Sequence, residues 1–211
     1  STERGPDPLD ALSMRVLSSY PYPIARTYRS YVTERDARLR CKLLVDTFTN
    51  VLKMWALQVA SEYLAAPGLK DAAVNQTLKR DFQRPLISAW NLMLQRCLPV
   101  LRDAGVPLFS EELARQYEAL ETRCTDKFSF EKRYEDKDGE TRVKVSKMGK
   151  IQALIKYRNS LAHGYNQSVQ QASAELETFG PLLREILQAA DFMVRTPLYA
   201  TRTRGGQTEL L

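Results

Sequence analysis

The chain has 211 residues, of which 44% are hydrophobic and 27% are charged, an ordinary composition for one globular domain. No apolar run approaches the ~20 residues that a membrane-spanning helix needs, so we expect a cytoplasmic protein with no membrane partner. The cysteines are few and far apart, and a single histidine excludes a metal site built from several histidines. We therefore predict no disulfide framework, metal or cofactor, and we expect Cys41 and Cys97 to be buried.

The net charge of +6 is distributed unevenly along the chain. Between residues 142 and 163 there is no acidic residue, and the basic residues are Arg142, Lys144, Lys147, Lys150, Lys156 and Arg158. Such a local positive field favours a polyanionic partner such as RNA, although a solvated basic face without a partner has the same composition.

The first half of the chain has the apolar spacing of helices. A short helix is predicted over 8–17 and another over 23–32, where Pro23 suits the first helical turn. A spine helix is predicted over 35–65, because apolar residues recur there at steps of three and four: Cys41, Leu44, Phe48, Val51, Leu52, Trp55, Val59 and Tyr63. At about 1.5 Å per residue this helix would be about 45 Å long. Further helices are predicted over 70–80 and 85–104.

The second half combines helical and strand-like patterns. Ser110 is predicted to cap a helix that ends near residue 123. Alternating apolar residues on both sides of an Asp-Gly turn predict a β-hairpin at about 127–146. Ser146 is then expected to cap the next helix, and Ser168 the last one.

The predicted fold is all-α. We expect one helical domain over 1–195, a bundle with a long spine helix that carries the hairpin as an insertion. Residues 196–211 are predicted to begin a following segment or linker of a larger protein. Their strand-like run at 196–203 has no evident partner nearby.

The segment 158–163 holds the residues with the clearest chemical potential. Arg158 is followed after five positions by His163, the only histidine of the chain. Histidine exchanges protons near neutral pH, and arginine presents a planar set of donors suited to a phosphate. Of the residues between them, Leu161 and Ala162 are predicted to face the core.

Helical geometry separates the polar residues of this segment. Asn159 and Ser160 share a face with His163, because residues three and four apart are neighbours on a helix. Arg158 lies about 140° from His163 around the axis. It would join the same site if its side chain wraps round, if the helix unwinds near Gly164, or if a second subunit supplies one of the groups.

The order Arg-Asn-x-x-Ala-His-Gly at 158–164, between a core helix and a final amphipathic helix, resembles the HEPN superfamily (higher eukaryotes and prokaryotes nucleotide-binding). The signature of that family is an arginine followed after four to six residues by a histidine, and Arg158, Asn159 and His163 match it. The resemblance implies a metal-independent endoribonuclease that forms a homodimer through the face carrying Arg158 and His163. It also implies an effector of toxin-type or anti-phage systems, joined to further domains.

The resemblance also assigns chemical roles. The ribose 2′-OH of RNA would attack the adjacent phosphorus, with His163 as general acid or base and Arg158 stabilising the phosphoryl charge. Asn159 and Ser160 would orient the imidazole or the phosphate. The residues predicted to bind the RNA backbone are Lys144, Lys147, Lys150 and Lys156.

Other interpretations of the same residues remain open. Tyr165 resembles a tyrosine that some HEPN toxins present for modification by AMP, but it would equally close the helix end against the core. His163 would complement the helix dipole without any catalysis. Arg158 would serve as a buried partner of Glu62 or another carboxylate. The alternative function is a catalytically inactive helical module for dimerisation or partner docking.

Overall fold

The computed structural model describes residues 10–83, 86–106, 111–121, 128–135, 141–162, 167–195, 201–204 and 207–210. For 128–135, 141–147 and the two segments after 200, it describes the backbone alone.

Most of the described chain is helical, which confirms the predicted all-α class. The helices are α1 (Ala11–Ser19), α2 (Tyr22–Thr33), α3 (Ala37–Ala65), α4 (Ala72–Gln76), α5 (Ile87–Asp103), α6 (Glu111–Glu121), α7 (Lys150–Ala162), α8 (Val169–Ala189) and α9 (Phe192–Arg195). A π-helical turn, Thr77–Asp81, directly follows α4. None of the helices that the structure describes is both long and apolar enough to cross a bilayer.

The long helix α3 is the centre of the bundle and packs against α2, α5, α7 and α8. It begins at Ala37, slightly later than predicted, because the Asp36 side chain accepts hydrogen bonds from the backbone N–H groups of Arg38 and Leu39. Trp55 is completely buried near its middle. Cys41 and Cys97 are buried and unpaired, as predicted, whereas Cys124 lies outside the described residues.

Two antiparallel strand pairs accompany the helices. β1 (Phe128–Glu135) pairs with β2 (Thr141–Met148), with Phe128 opposite Met148. The expectation that this pair is an insertion into a HEPN-like bundle stays a prediction. β3 (Thr201–Arg204) pairs with β4 (Gln207–Leu210). The run at 196–203 was expected to lack a partner, which is wrong for 201–203, because β4 follows closely in the chain.

The N-terminus of α7 is fixed by α6. The Gln152 backbone N–H donates to Glu121 Oε1 at 3.1 Å, and Gly149 lets the two elements approach so closely that an added Cβ would lie 2.6 Å from the same oxygen. Ser146 was expected to cap this helix, but it lies within β2 instead. The cap therefore comes from a distant part of the sequence.

The N-terminus of α8 carries the predicted cap. The Ser168 side chain accepts from the Gln171 backbone N–H, and the Gln171 side chain accepts from the Ser168 backbone N–H. The helix then runs through Gly180 and Pro181 to Ala189. It packs against α3 and α7.

Candidate functional site

The C-terminal turns of α7 place two of the predicted site residues in contact. Arg158 Nη1 donates a hydrogen bond to Asn159 Oδ1 at 3.3 Å. Consecutive residues on a helix point about 100° apart, so this contact requires the long arginine side chain to bend towards Asn159. His163 lies outside the described residues, as do Gly164 and Tyr165, and the predictions for these three stay predictions.

Ser160 is exposed, and its hydroxyl is already engaged. Ser160 Oγ donates to the Tyr157 carbonyl oxygen at 2.6 Å, a common bond for serine within a helix. A hydroxyl has one proton, so in this rotamer Ser160 offers only acceptor lone pairs to a further group. The side chain therefore cannot donate to a phosphate unless it leaves the Tyr157 carbonyl.

The last turn of α7 emerges from the core. The buried positions of this helix are Ile151, Ala153, Leu154, Ile155 and Tyr157, all of which precede Arg158. Leu161 packs partly against the core, but the prediction that Ala162 faces the core is wrong, because its side chain is exposed. The described part of the predicted site, Arg158 to Ser160, thus lies where α7 leaves the protein interior.

A carboxylate of α3 lies within the electrostatic reach of Arg158. The Asp46 side chain is exposed by area, but packing around its carboxyl removes part of its hydration and raises its pKa, while Arg158 and Lys53 act in the opposite direction. Asp46 is therefore a carboxylate on which the charge of Arg158 acts. Sequence reasoning offered Glu62 or another carboxylate as the partner of Arg158 and did not name Asp46, since nothing local links positions so far apart in the chain.

A buried cluster holds α7 against α8 directly before Arg158. The Tyr157 ring stacks on Phe179, with centroids 3.9 Å apart and planes 9° apart. The Tyr157 hydroxyl lies beside Cys41 and Glu175 but makes no well-formed hydrogen bond within the described chain. Burial raises the pKa of Tyr157 and also that of Glu175, whose carboxylate accepts from Gln167 Nε2.

The lysines predicted to bind RNA differ in their surroundings. Lys150 Nζ donates to Glu185 Oε2 and is therefore paired with a carboxylate of α8. Lys156 is half-buried on α7. Lys144 and Lys147 lie on β2, for which the structure describes only the backbone at these positions. Their role in binding RNA stays a prediction.

No His, Cys, Asp or Glu cluster that could hold a metal ion occurs in the part of the chain that the structure describes. Comparisons of the chain with protein-family models, with curated proteins and with solved structures gave no match. The case for a function therefore depends on the residues themselves, above all on Arg158 and Asn159 at the exposed end of α7.

Proposed function

We propose that the protein is a metal-independent endoribonuclease that cleaves RNA by transesterification. The observation that carries the proposal is the hydrogen bond between Arg158 Nη1 and Asn159 Oδ1 at 3.3 Å, at the end of α7 and five residues before the only histidine. The Asn159 oxygen holds one guanidinium nitrogen, and this restricts how the remaining N–H donors point. Such a preorganised fork suits the non-bridging oxygens of a phosphodiester.

In the proposed reaction the bond between the 2′ oxygen and phosphorus forms, while the bond between phosphorus and the 5′ oxygen breaks. A base removes the 2′-OH proton, and an acid protonates the departing 5′ oxygen. The products are a 2′,3′-cyclic phosphate and a 5′-OH end. His163 serves as the acid or the base, and Arg158 stabilises the charge on the phosphoryl oxygens. DNA lacks the 2′-OH and is not a substrate.

The same proposal includes a homodimer that joins two motifs across one cleft. Arg158 and His163 lie on different sides of an ideal helix, so one copy would present them to different partners. Two facing copies would let the arginine of one and the histidine of the other act on one phosphate. Following the HEPN resemblance, we propose that such a dimer is the effector part of a toxin-type or anti-phage protein with further domains.

Cleavage of a mixed RNA pool by the full-length protein tests the reaction. Wild type should leave 2′,3′-cyclic phosphate ends, also in the presence of EDTA. His163→Ala should slow cleavage by roughly 10²–10⁴-fold, the usual contribution of a general acid or base. Arg158→Ala should also be impaired, whereas Arg102→Ala, which removes an exposed arginine from α5, should cleave like wild type. Absence of cleavage by the wild-type protein would contradict the proposal.

Complementation tests the shared site. Mixing Arg158→Ala with His163→Ala chains, after dissociation and reassembly, forms mixed dimers. When each site takes its arginine from one copy and its histidine from the other, one of the two sites in such a dimer has both residues. Partial recovery of cleavage is expected if the arginine and the histidine come from different copies. If both come from the same copy, the mixture should stay as inactive as either variant alone.

A further inference from the structure

Helix α8 contacts the chain on both sides of residues 158–166. Directly before this segment, the Tyr157 ring stacks on Phe179 of α8 with centroids 3.9 Å apart. Directly after it, Gln167 Nε2 donates a hydrogen bond to Glu175 Oε2 of α8. Glu175 and Phe179 are four residues apart and are therefore neighbours on one face of the helix. Both flanks of the segment are thus held by about one turn of the same helix.

This part of α8 is itself fixed within the bundle. Ala172 is completely buried, and its carbonyl oxygen accepts a hydrogen bond from Cys41 Sγ of α3 at 3.4 Å. The reciprocal hydrogen bonds between Ser168 and Gln171 fix the backbone that directly follows Gln167. A side chain held by α8 here is therefore held relative to α3 as well.

The contact after the segment is polar and partly shielded from water. Gln167 and Glu175 are both half-buried. The Tyr157 hydroxyl lies beside the same carboxylate, so the two flanks meet close to Glu175. Removal of the carboxylate would leave the Gln167 amide without this acceptor in a half-buried position, which costs free energy unless the amide moves to reach water. The carboxylate therefore restricts where Gln167 lies.

We propose that Glu175 is a positioning residue of the cleavage site, which acts through Gln167 and does not touch the RNA. Arg158 directly follows Tyr157, and His163 precedes Gln167 by four residues in the sequence. Holding Gln167 beside Tyr157 therefore restricts the chain that connects the arginine to the histidine. This inference rests on the proposed function, and in the homodimer the arrangement repeats in each copy.

Cleavage kinetics of the full-length protein test the role in the reaction. A displacement of about 1 Å at a reacting group can cost about 10²-fold in rate. Glu175→Ala and Gln167→Ala should therefore each lower kcat by roughly 10–100-fold with little change in KM. The double variant should lose no more than either single variant, because the two side chains act as one pair.

Two further variants are the matched controls. Glu175→Gln keeps an acceptor oxygen for Gln167 Nε2 and should cleave close to the wild-type rate. Glu177→Ala removes an exposed glutamate from the same helix and should also cleave like wild type.

NMR of the only histidine tests the positioning without any cleavage. The imidazole C–H signals belong to His163 alone, since the chain has no other histidine. Glu175→Ala and Gln167→Ala should both shift these signals, whereas Glu175→Gln and Glu177→Ala should leave them at their wild-type positions. Gln167→Ala keeps the Glu175 charge, so a shift in that variant reports the lost contact. A wild-type protein that cleaves no RNA contradicts the proposed function, while these signals still test the positioning.

Either of two results would overturn the role of Glu175. Wild-type kcat and unshifted His163 signals in Gln167→Ala would show that the pair does not position the segment, even if that variant is less stable to urea. An equal loss of kcat in Glu175→Gln and Glu175→Ala would show that the negative charge, and not the contact with Gln167, is what the reaction needs.

Discussion

Gly149 is the position at which one added methyl group should loosen α7, the helix that carries Arg158 and Asn159. An added Cβ would lie 2.6 Å from Glu121 Oε1, 2.8 Å from its Cδ and 3.0 Å from its Cα. The carboxylate could swing away, but the Cα belongs to the backbone of α6. Gly149→Ala must therefore shift the end of α6 as well as displace the group that accepts from the Gln152 N–H.

The expected loss of stability follows from two costs and one gain. Removing a side-chain acceptor from a helix N-terminus costs about 0.5–2 kcal/mol. Overpacking at a close contact costs about 1–3 kcal/mol. Replacing glycine by alanine restricts the unfolded chain and returns about 0.4–1 kcal/mol. We therefore predict that Gly149→Ala lowers the free energy of unfolding by about 1–4 kcal/mol, net of that gain.

Urea denaturation followed by circular dichroism measures this change. Gly180→Ala is the matched control, because its added Cβ would lie 3.4 Å from Tyr31 Oη, which is an ordinary contact. Alanine also favours the helix over glycine by up to about 1 kcal/mol. The control should be neutral or stabilising. The cost of Gly149→Ala should shrink in a Glu121→Ala background, where most of the clashing atoms are absent. A Gly149→Ala midpoint at or above that of wild type would refute the close-contact reasoning.

Two further predictions concern the surroundings of α7. Tyr157→Phe removes a hydroxyl without a well-formed hydrogen bond and should change the free energy of unfolding by less than about 1 kcal/mol. Tyr157→Ala also loses the stack on Phe179 and should lower the free energy of unfolding by about 3–5 kcal/mol. Denaturation measures both changes. Burial raises the pKa of Glu121 above its usual 4.5, although backbone donors oppose this. A carboxyl whose pKa is raised on folding loses stability as pH rises from its unfolded to its folded pKa. The free energy of unfolding of the wild type, relative to that of Glu121→Gln, should therefore fall as pH rises above about 4.5. A difference between the two proteins that stays constant with pH would contradict this prediction.

The helical elements were predictable because their signals are local. The apolar residues of α3 repeat at helical spacing. The Asp36 side chain caps the start of α3, and the Ser168 side chain caps the start of α8. Pro23 lies in the first turn of α2. Each of these signals involves residues a few positions apart. The periodicity cannot distinguish a buried turn from an exposed one, which is why Ala162 was expected to face the core.

The contacts that hold the candidate site were not predictable, because they join distant parts of the sequence. Glu121 replaces the expected Ser146 as the cap of α7 because α6 packs against that helix, which only the fold reveals. Asp46 lies far before Arg158 in the chain and comes near it only because α3 packs against α7. Local rules therefore pointed to Arg158 and Asn159 as candidates but not to the groups that surround them.

The charges around Arg158 give a physical reason to propose a second copy. Arg158 and Lys53 both act on Asp46, so one chain offers two cations near an acidic group that offsets part of their field when ionised. The phosphodiester bears one negative charge before reaction and more when the 2′ oxygen has attacked. Two facing copies would double the cations at the cleft and would exclude water from the exposed end of α7, which strengthens each charge interaction.

Because Asp46 offsets part of the positive field of Arg158, Asp46→Asn should strengthen RNA binding by the inactive His163→Ala protein. The gain in binding should diminish as the salt concentration is raised. Unchanged binding at low salt would show that Asp46 does not compete with RNA for Arg158.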